Sequence, residues 1–225
     1  MNKGFYTVLG TLLDENLNFS AKSMANQTEA GVSGLLVMGS MGQMTYLKNS
    51  IYPEVAKVSV EAAKGRVPVL VGVTDLSIHR VMDRVAALEG VDGIVSTIPY
   101  YGAVSQDNIY DFYNEIANQS GRATYLYDLV VVTKTATAPA AVKRLWKKSL
   151  IKGIKSGNMV TAGKELDAIL GLRDLYISTG CLMAAFSHSM NLLGCEGWFA
   201  TDYNKDISDE NKERVTTTMK ALGEI

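Results

Sequence analysis

The sequence predicts an α/β fold, a single-domain (β/α)8 TIM barrel spanning residues 1–225. Three observations predict it. Eight short β-type runs begin about 27 residues apart on average, which is room for a strand, a helix and two short loops. Helical patterns fill the gaps between the runs, and strict alternation of strand and helix builds a parallel sheet. No linker rich in Pro, Gly or Ser interrupts the series. A closed barrel is therefore favoured over an open, doubly wound sheet.

The runs cover residues 5–11, 34–39, 67–74, 92–98, 123–127, 151–155, 174–178 and 195–201. After the second, Ile51, Val55, Val58 and Ala62 recur at helical spacing. After the third come Ile78, Val81, Met82, Val85 and Leu88, with Ser77 as N-cap and Gly90 as stop. Ile109, Phe112, Tyr113 and Ile116 follow Ser105 in the same way. Pro139 suits the first turn of a helix carrying Val142, Leu145 and Trp146. Leu182, Met183, Phe186, Met190 and Leu193 form a further apolar stripe. The last helix opens on Ser208-Asp209-Glu210, a cap and an acidic first turn, and is expected to bury Val215, Met219 and Leu222 over the seam between strands eight and one.

Composition narrows the partners. Hydrophobic residues make up 47% of the chain and charged residues 20%, with a formal net charge of −1. That is a globular composition with no long-range field for nucleic acid or anionic lipid. Lys143, Arg144, Lys147 and Lys148 read as a solvated helix end. No run of 18 apolar residues marks a membrane span, and no basic start followed by an apolar stretch marks a secretory leader. The sequons at Asn18, Asn26 and Asn118 then read as chance matches. Cys181 and Cys195 stand as two small hydrophobes without metal or redox spacing. A cytoplasmic protein with a small-molecule substrate is expected.

Several chemistries lack their residues. There is no glycine-rich dinucleotide fingerprint and no phosphate loop around Lys155. His79 and His188 fall on separate helices, which leaves no metal site and no hydrolase triad. No cofactor is expected. What remains gathers where strands end, the place at which barrels keep their chemistry. Gly39-Ser40-Met41-Gly42-Gln43 offers free backbone amides for an anion such as a carboxylate, and a Ser40 hydroxyl. Tyr101 follows strand four, Tyr127 ends strand five and Lys155 ends strand six. Pleat parity groups Leu36 with Met38 and Ser40, Tyr125 with Tyr127, and Ile151 with Gly153 and Lys155, Lys152 lying opposite. A consistent assignment places Ser40, Tyr101, Tyr127 and Lys155 around the mouth of one barrel. An inward Lys155 walled by apolar strands would lose its proton readily and attack a carbonyl, with a tyrosine moving protons. The constellation reads as Schiff-base chemistry on an oxo acid.

The same residues resemble a family. Gly39-Ser40-Met41-Gly42-Gln43 is similar to a G-[TS]-T-G-E carboxylate loop, and Val67-Pro68-Val69-Leu70-Val71-Gly72-Val73 to a P-V-I-A-G-V strand. Pro99-Tyr100-Tyr101 with Ser105-Gln106 resembles P-Y-Y-x-x-x-S-Q. Tyr127-Asp128 stands at a Y-N pair, Gly153-Ile154-Lys155-Ser156 at G-I-K-[ED/S], Ser178-Thr179-Gly180 at S-G-D, and Gly194-Cys195-Glu196-Gly197 at G-A-D-G. The family is the dihydrodipicolinate synthase/N-acetylneuraminate lyase group of class I aldolases. The resemblance implies a (β/α)8 barrel in which Lys155 forms the Schiff base with pyruvate or a related 2-oxo acid and Tyr127 relays protons. Ser40 and the Met41 backbone would hold the carboxylate, with Gly180 in the substrate set. Tyr101 is similar to a tyrosine that reaches a neighbouring subunit's site, so a homo-oligomer is implied.

The sequence departs from the family at particular points. Met41 replaces a threonine of the relay and Gln43 a glutamate. Neither the usual proline nor the synthases' arginine follows Tyr127; Lys134 lies two positions beyond that arginine's place. Gly180-Cys181 lacks the acidic pair of the sialic acid lyases. The family's C-terminal helical extension is expected to be missing. The expected activity is making or breaking a C–C bond beside the imine. The alternatives are a 2-keto-3-deoxy sugar-acid dehydratase using the same imine, and a catalytically weak barrel that binds a small oxo acid.

Overall fold

The computed structural model describes residues 6–16, 18–28, 32–153, 163–199 and 206–225. Among these residues six parallel strands form one sheet: β1 (Tyr6–Val8), β2 (Gly34–Val37), β3 (Val69–Gly72), β4 (Gly93–Ser96), β5 (Thr124–Leu126) and β6 (Ile151–Gly153). They lie side by side in chain order. The register pairs Tyr6 with Gly34, Leu35 with Val69, Leu70 with Gly93, Ile94 with Thr124, and Thr124 with Ile151. These are the first six runs read from the sequence, each a few residues shorter.

The pleat sorts the side chains into two layers. Leu35, Val37, Val69, Val71, Ile94 and Ile151 face outward and pack with helix residues such as Val55, Val81 and Ile109. Leu36, Leu70, Val95 and Tyr125 face inward in a separate cluster, joined by Tyr6, Val8, Ala123 and Tyr127. Because both faces are buried, β2 (Gly-Leu-Leu-Val) and β3 (Val-Leu-Val-Gly) read as continuous apolar runs instead of alternations. Two rings, those of Tyr6 and Tyr125, belong to this inner layer. The Tyr6 ring lies against Gly34, and a Cβ on Gly93 would come within 2.8 Å of the Tyr125 ring, so both positions need glycine.

The connecting helices are α1 (Ala21–Gln27), α2 (Tyr52–Ala63), α3 (Ile78–Ala86), α4 (Gln106–Ser120), α5 (Val130–Thr133) and α6 (Pro139–Leu145). Ser77 and Ser105 cap α3 and α4 as their sequences predict, accepting from Arg80 N–H at 3.4 Å and Asn108 N–H at 3.1 Å. Pro139 opens α6. Gly90 does not stop α3, which ends at Ala86.

The C-terminal third departs from the expected pattern. Residues 174–178, read as the seventh strand, belong to α7 (Gly163–Ser178). The run Leu175-Tyr176-Ile177 is too short for periodicity to separate strand from helix. Its partners decide: Leu172, Leu175 and Tyr176 pack with Ala185 of α8 (Leu182–Leu192) and with Val215 and Met219 of α9 (Asp209–Leu222). The segment read as strand eight makes no ladder over residues 195–199. It forms one antiparallel bridge, Trp198 to Leu13, with both N–H···O distances 2.8 Å; residues 200 and 201 lie outside the described residues. Ser208 caps α9, accepting from Asn211 N–H at 3.3 Å. That helix packs on α7 and α8 rather than over a strand seam. Val215 and Met219 are buried, whereas Leu222 is exposed, as are Leu182 and Leu193 of the α8 stripe.

Candidate active site

The six strands run parallel, so their C-terminal ends lie at one edge of the sheet, and the loop after β2 leaves from that edge. Met38 follows β2 with a left-handed backbone, φ 54°. The alternation that puts Leu36 inward breaks there, and the Met38 side chain is buried in the outer layer. The shared face read for Leu36 and Met38 therefore does not hold. Gly72 at the end of β3 permits the turn, because a Cβ there would overlap the Met38 carbonyl oxygen. Thr11, fully buried after β1, directs its hydroxyl at the Met38 sulfur at 3.5 Å.

Beyond Met38 the chain winds tightly. Gln43 N–H donates to Ser40 O at 3.1 Å and Met44 N–H to Gly39 O at 3.3 Å. The amides of Ser40, Met41 and Gly42 have no acceptor among the described residues, and Ser40 and Met41 are half-buried. A half-buried run of free N–H groups suits a carboxylate. Gln43 is buried, and neither its amide nitrogen nor its oxygen meets a partner among the described residues.

Tyr127 lies one residue past β5, half-buried against the inner cluster with Tyr125. The parity shared by these two tyrosines holds. Its N–H donates to Ser96 O at 2.9 Å. Asp128 pins the next segment by accepting from Thr137 N–H at 3.2 Å and the Thr137 hydroxyl at 3.3 Å. Gln106 at the start of α4 holds the same loop, donating to Ala136 O at 2.9 Å and accepting from Ala138 N–H at 2.7 Å. Lys134, near the place of the missing arginine, caps α5 and donates to Val131 O at 2.6 Å.

The remaining candidates lie apart. Tyr101 is 89% exposed and projects from the loop after β4. Gly180 sits in the turn between α7 and α8 with φ 81°, beside the start of α9, where Asn211 donates to Thr179 O at 3.4 Å. That is not a strand end, and no described contact ties Gly180 to Ser40 or Tyr127. Lys155 lies outside the described residues. Its parity argument used Ile151 as an inward residue, and Ile151 packs outward, in register with Thr124. The case for Lys155 thus rests on its motif and not on the pleat.

One cluster at this end escaped the sequence reading. Asp75, after β3, accepts from Arg80 Nε at 2.6 Å and Leu76 N–H at 2.7 Å, and pairs with Arg84 Nη2 at 2.9 Å. Arg84 is buried, donates to Asn49 Oδ1 at 3.1 Å and to the Thr74 carbonyl, and lies 4.7 Å over the Tyr52 ring. Burial alone would raise the Asp75 carboxyl, but hydrogen bonds from Arg80 and Leu76 and the two positive charges hold it below the usual carboxylate range. The same surroundings raise Tyr100, first by burial and then by the Asp75 charge. The signal was present: Arg84 falls on the buried stripe of α3 with Val81 and Val85. Among the described residues no group of three His, Cys, Asp or Glu side chains is placed to hold a metal ion.

A profile of the Dihydrodipicolinate synthetase family matches residues 3–207, nearly the whole chain. The chain belongs to this family. Among curated relatives, it is 32% identical to a 4-hydroxy-tetrahydrodipicolinate synthase of Endomicrobium trichonymphae over 184 residues, covering 78% of this chain and 60% of that protein. It is 28% identical to a probable 2-dehydro-3-deoxy-D-pentonate aldolase of Escherichia coli over 206 residues, covering 87% and 65%. The chain thus spans about half to two thirds of the length of such relatives. Two solved structures are close in shape. One is a prophage protein of the dihydrodipicolinic acid synthase family from E. coli K12, in complex with pyruvate (TM-score 0.84, 18% identity, 98% of each chain). The other is a catalytic-lysine mutant of a Ruminococcus gnavus sialic acid aldolase (TM-score 0.86, 16% identity, 99% and 96%). These likenesses show the family's (β/α)8 barrel fold, of which the described residues form six strands.

Proposed function

We propose that the protein is a class I lyase that forms a Schiff base between Lys155 and pyruvate or a related 2-oxo acid and makes or breaks the adjacent C–C bond. The observation that carries this reading is the pairing of two strand-end features within the family's sequence pattern. Tyr127 packs against the inner cluster of the sheet, and the Ser40–Gly42 amides, at another strand end of the same edge, have no acceptor among the described residues. The Lys155 amine adds to the keto carbon and water leaves, giving an imine. The protonated imine takes up the electron pair released when the bond at the next carbon breaks. Tyr127 moves protons to and from the carbinolamine oxygen, and the Ser40 loop holds the carboxylate. The pentonate aldolase relative supports C–C cleavage over dehydration. A cytoplasmic homo-oligomer with Tyr101 at a subunit boundary completes the proposal; no described helix is long and apolar enough to cross a membrane.

Borohydride reduction in the presence of pyruvate tests it. The expected result is a three-carbon acid adduct on Lys155, located by mass spectrometry of peptides. Lys155→Arg removes the adduct, because a guanidinium keeps its proton. Labelling of Lys152 with Lys155 unmodified would overturn the assignment.

A further inference from the structure

Tyr113 belongs to the outer layer yet touches the strand end that carries Tyr127. It projects from α4, is fully buried, and its hydroxyl donates to Ser96 O at 2.8 Å. Ser96 is the last residue of β4, and the same carbonyl accepts the Tyr127 N–H at 2.9 Å. A carbonyl oxygen has two lone pairs. Here one completes the last described rung between β4 and β5, and the other receives Tyr113. Sheet rungs fray where strands end, and this rung is fastened from outside by a hydroxyl that water cannot reach.

We propose that Tyr113 is a positioning residue for Tyr127: by locking the Ser96 carbonyl it fixes the backbone from which the Tyr127 hydroxyl reaches into the mouth. The proposal rests on the proton-relay reading of Tyr127. Tyr113 touches no substrate. It acts through one shared oxygen, and its effect disappears when the Tyr127 hydroxyl is absent. A phenylalanine at 113 keeps the ring in the α4 layer, beside Phe112 with centroids 5.7 Å apart, and loosens only the rung. A shift of about 1 Å at a catalytic group is enough to slow a step roughly 100-fold.

The test is a double-mutant cycle read by exchange of solvent deuterium into the methyl group of pyruvate, with pyruvate as the probe. Tyr113→Phe is expected to slow exchange roughly 10- to 100-fold, with the half-saturating pyruvate concentration nearly unchanged and the circular dichroism spectrum intact. In a Tyr127→Phe background, Tyr113→Phe is expected to cost nothing further. Exchange at the parental rate in Tyr113→Phe, or a second loss added in full on Tyr127→Phe, overturns the proposal while leaving Tyr127 in its role. Parental exchange in Tyr127→Phe, or none in the parent, overturns the relay reading and this proposal with it. If Tyr113→Phe does not fold, Tyr113→3-fluorotyrosine keeps the shape and sharpens the donor. Its exchange rate should then differ from the parent's, and an identical rate overturns the proposal.

Discussion

At the scale of the residue, Met41 is the departure with the clearest consequence. It stands beside Ser40 in the loop after β2 and carries no hydroxyl, so a relay through this position has no side-chain oxygen. Met41→Thr is expected to raise turnover where proton transfer limits it, by no more than the roughly 10²–10⁴-fold that general acid–base catalysis supplies. Steady-state kinetics with pyruvate and a panel of aldehydes checks this. A neutral Met41→Thr beside a severe Tyr127→Phe would show that the protons travel by another path. The placement of two proposed site residues at strand ends was legible in the sequence: Tyr127 ends a β-type run, and small residues around Ser40 follow one. Gly180 was set at a strand end because residues 174–178 were read as a strand, and that run is helical. Asp75 and Arg84 were missed because neither resembles a motif, although a charge on a buried helical stripe is itself a signal.

At the scale of the element, the Asp75–Arg84 pair fastens α3 to the ends of β3 and α2 through Thr74, Asn49 and Tyr52. Removing Arg84 takes one of the two cations from Asp75 and leaves it with Arg80 and the Leu76 N–H. Arg84→Met is expected to cost about 1–3 kcal/mol, the range for losing a charged hydrogen bond in the interior, measured by urea unfolding at neutral pH. The pH dependence follows from the depressed Asp75 carboxyl. A carboxylate held below its unfolded value of roughly 3.9 adds stability that is fully present above that pH. The contribution is lost as pH falls through the folded value. Asp75→Asn should therefore flatten the acid side of the stability curve below about pH 4, and an unchanged acid slope would show that the pair adds nothing there. Gly72 is a second element-scale constraint. Gly72→Ala pushes against the Met38 carbonyl, where backbone must move. It should lower the unfolding temperature and weaken pyruvate capture together, since the moved segment leads into the Ser40 loop.

At the scale of the molecule, α7, α8 and α9 form a small helical layer with its own buried cluster of Tyr176, Ala185, Ile207, Val215 and Met219. Deleting residues 209–225 removes two of those side chains at roughly 1.5–3 kcal/mol each, against a total stability of about 5–15 kcal/mol. The truncated chain is expected to lose its cooperative unfolding transition, which thermal denaturation followed by circular dichroism reads directly. The proposed self-association also belongs to this scale. Tyr101 at 89% exposure and Val131 at 71% leave large apolar side chains in water. Light scattering should give a mass above that of one chain, and a stable, active monomer would remove the oligomer from the proposal.

The sequence by itself determined the first six strands, their order, and the Ser77, Ser105 and Ser208 caps. These depend on local chemistry: apolar runs bounded by turn residues, and hydroxyls that accept from the first turn of a helix. It also identified the family, because several short motifs in a set order cover nearly the whole chain. Tertiary structure alone decided the last third, where Leu175-Tyr176-Ile177 fits strand or helix equally well until Ala185, Val215 and Met219 are beside it. It alone decided that Ile151 faces outward, since a period of two says which residues share a face but not which face meets the core. And it alone joined Tyr113 to Tyr127 through the Ser96 carbonyl: residues far apart in the chain meet at one oxygen only after α4 has packed against the sheet.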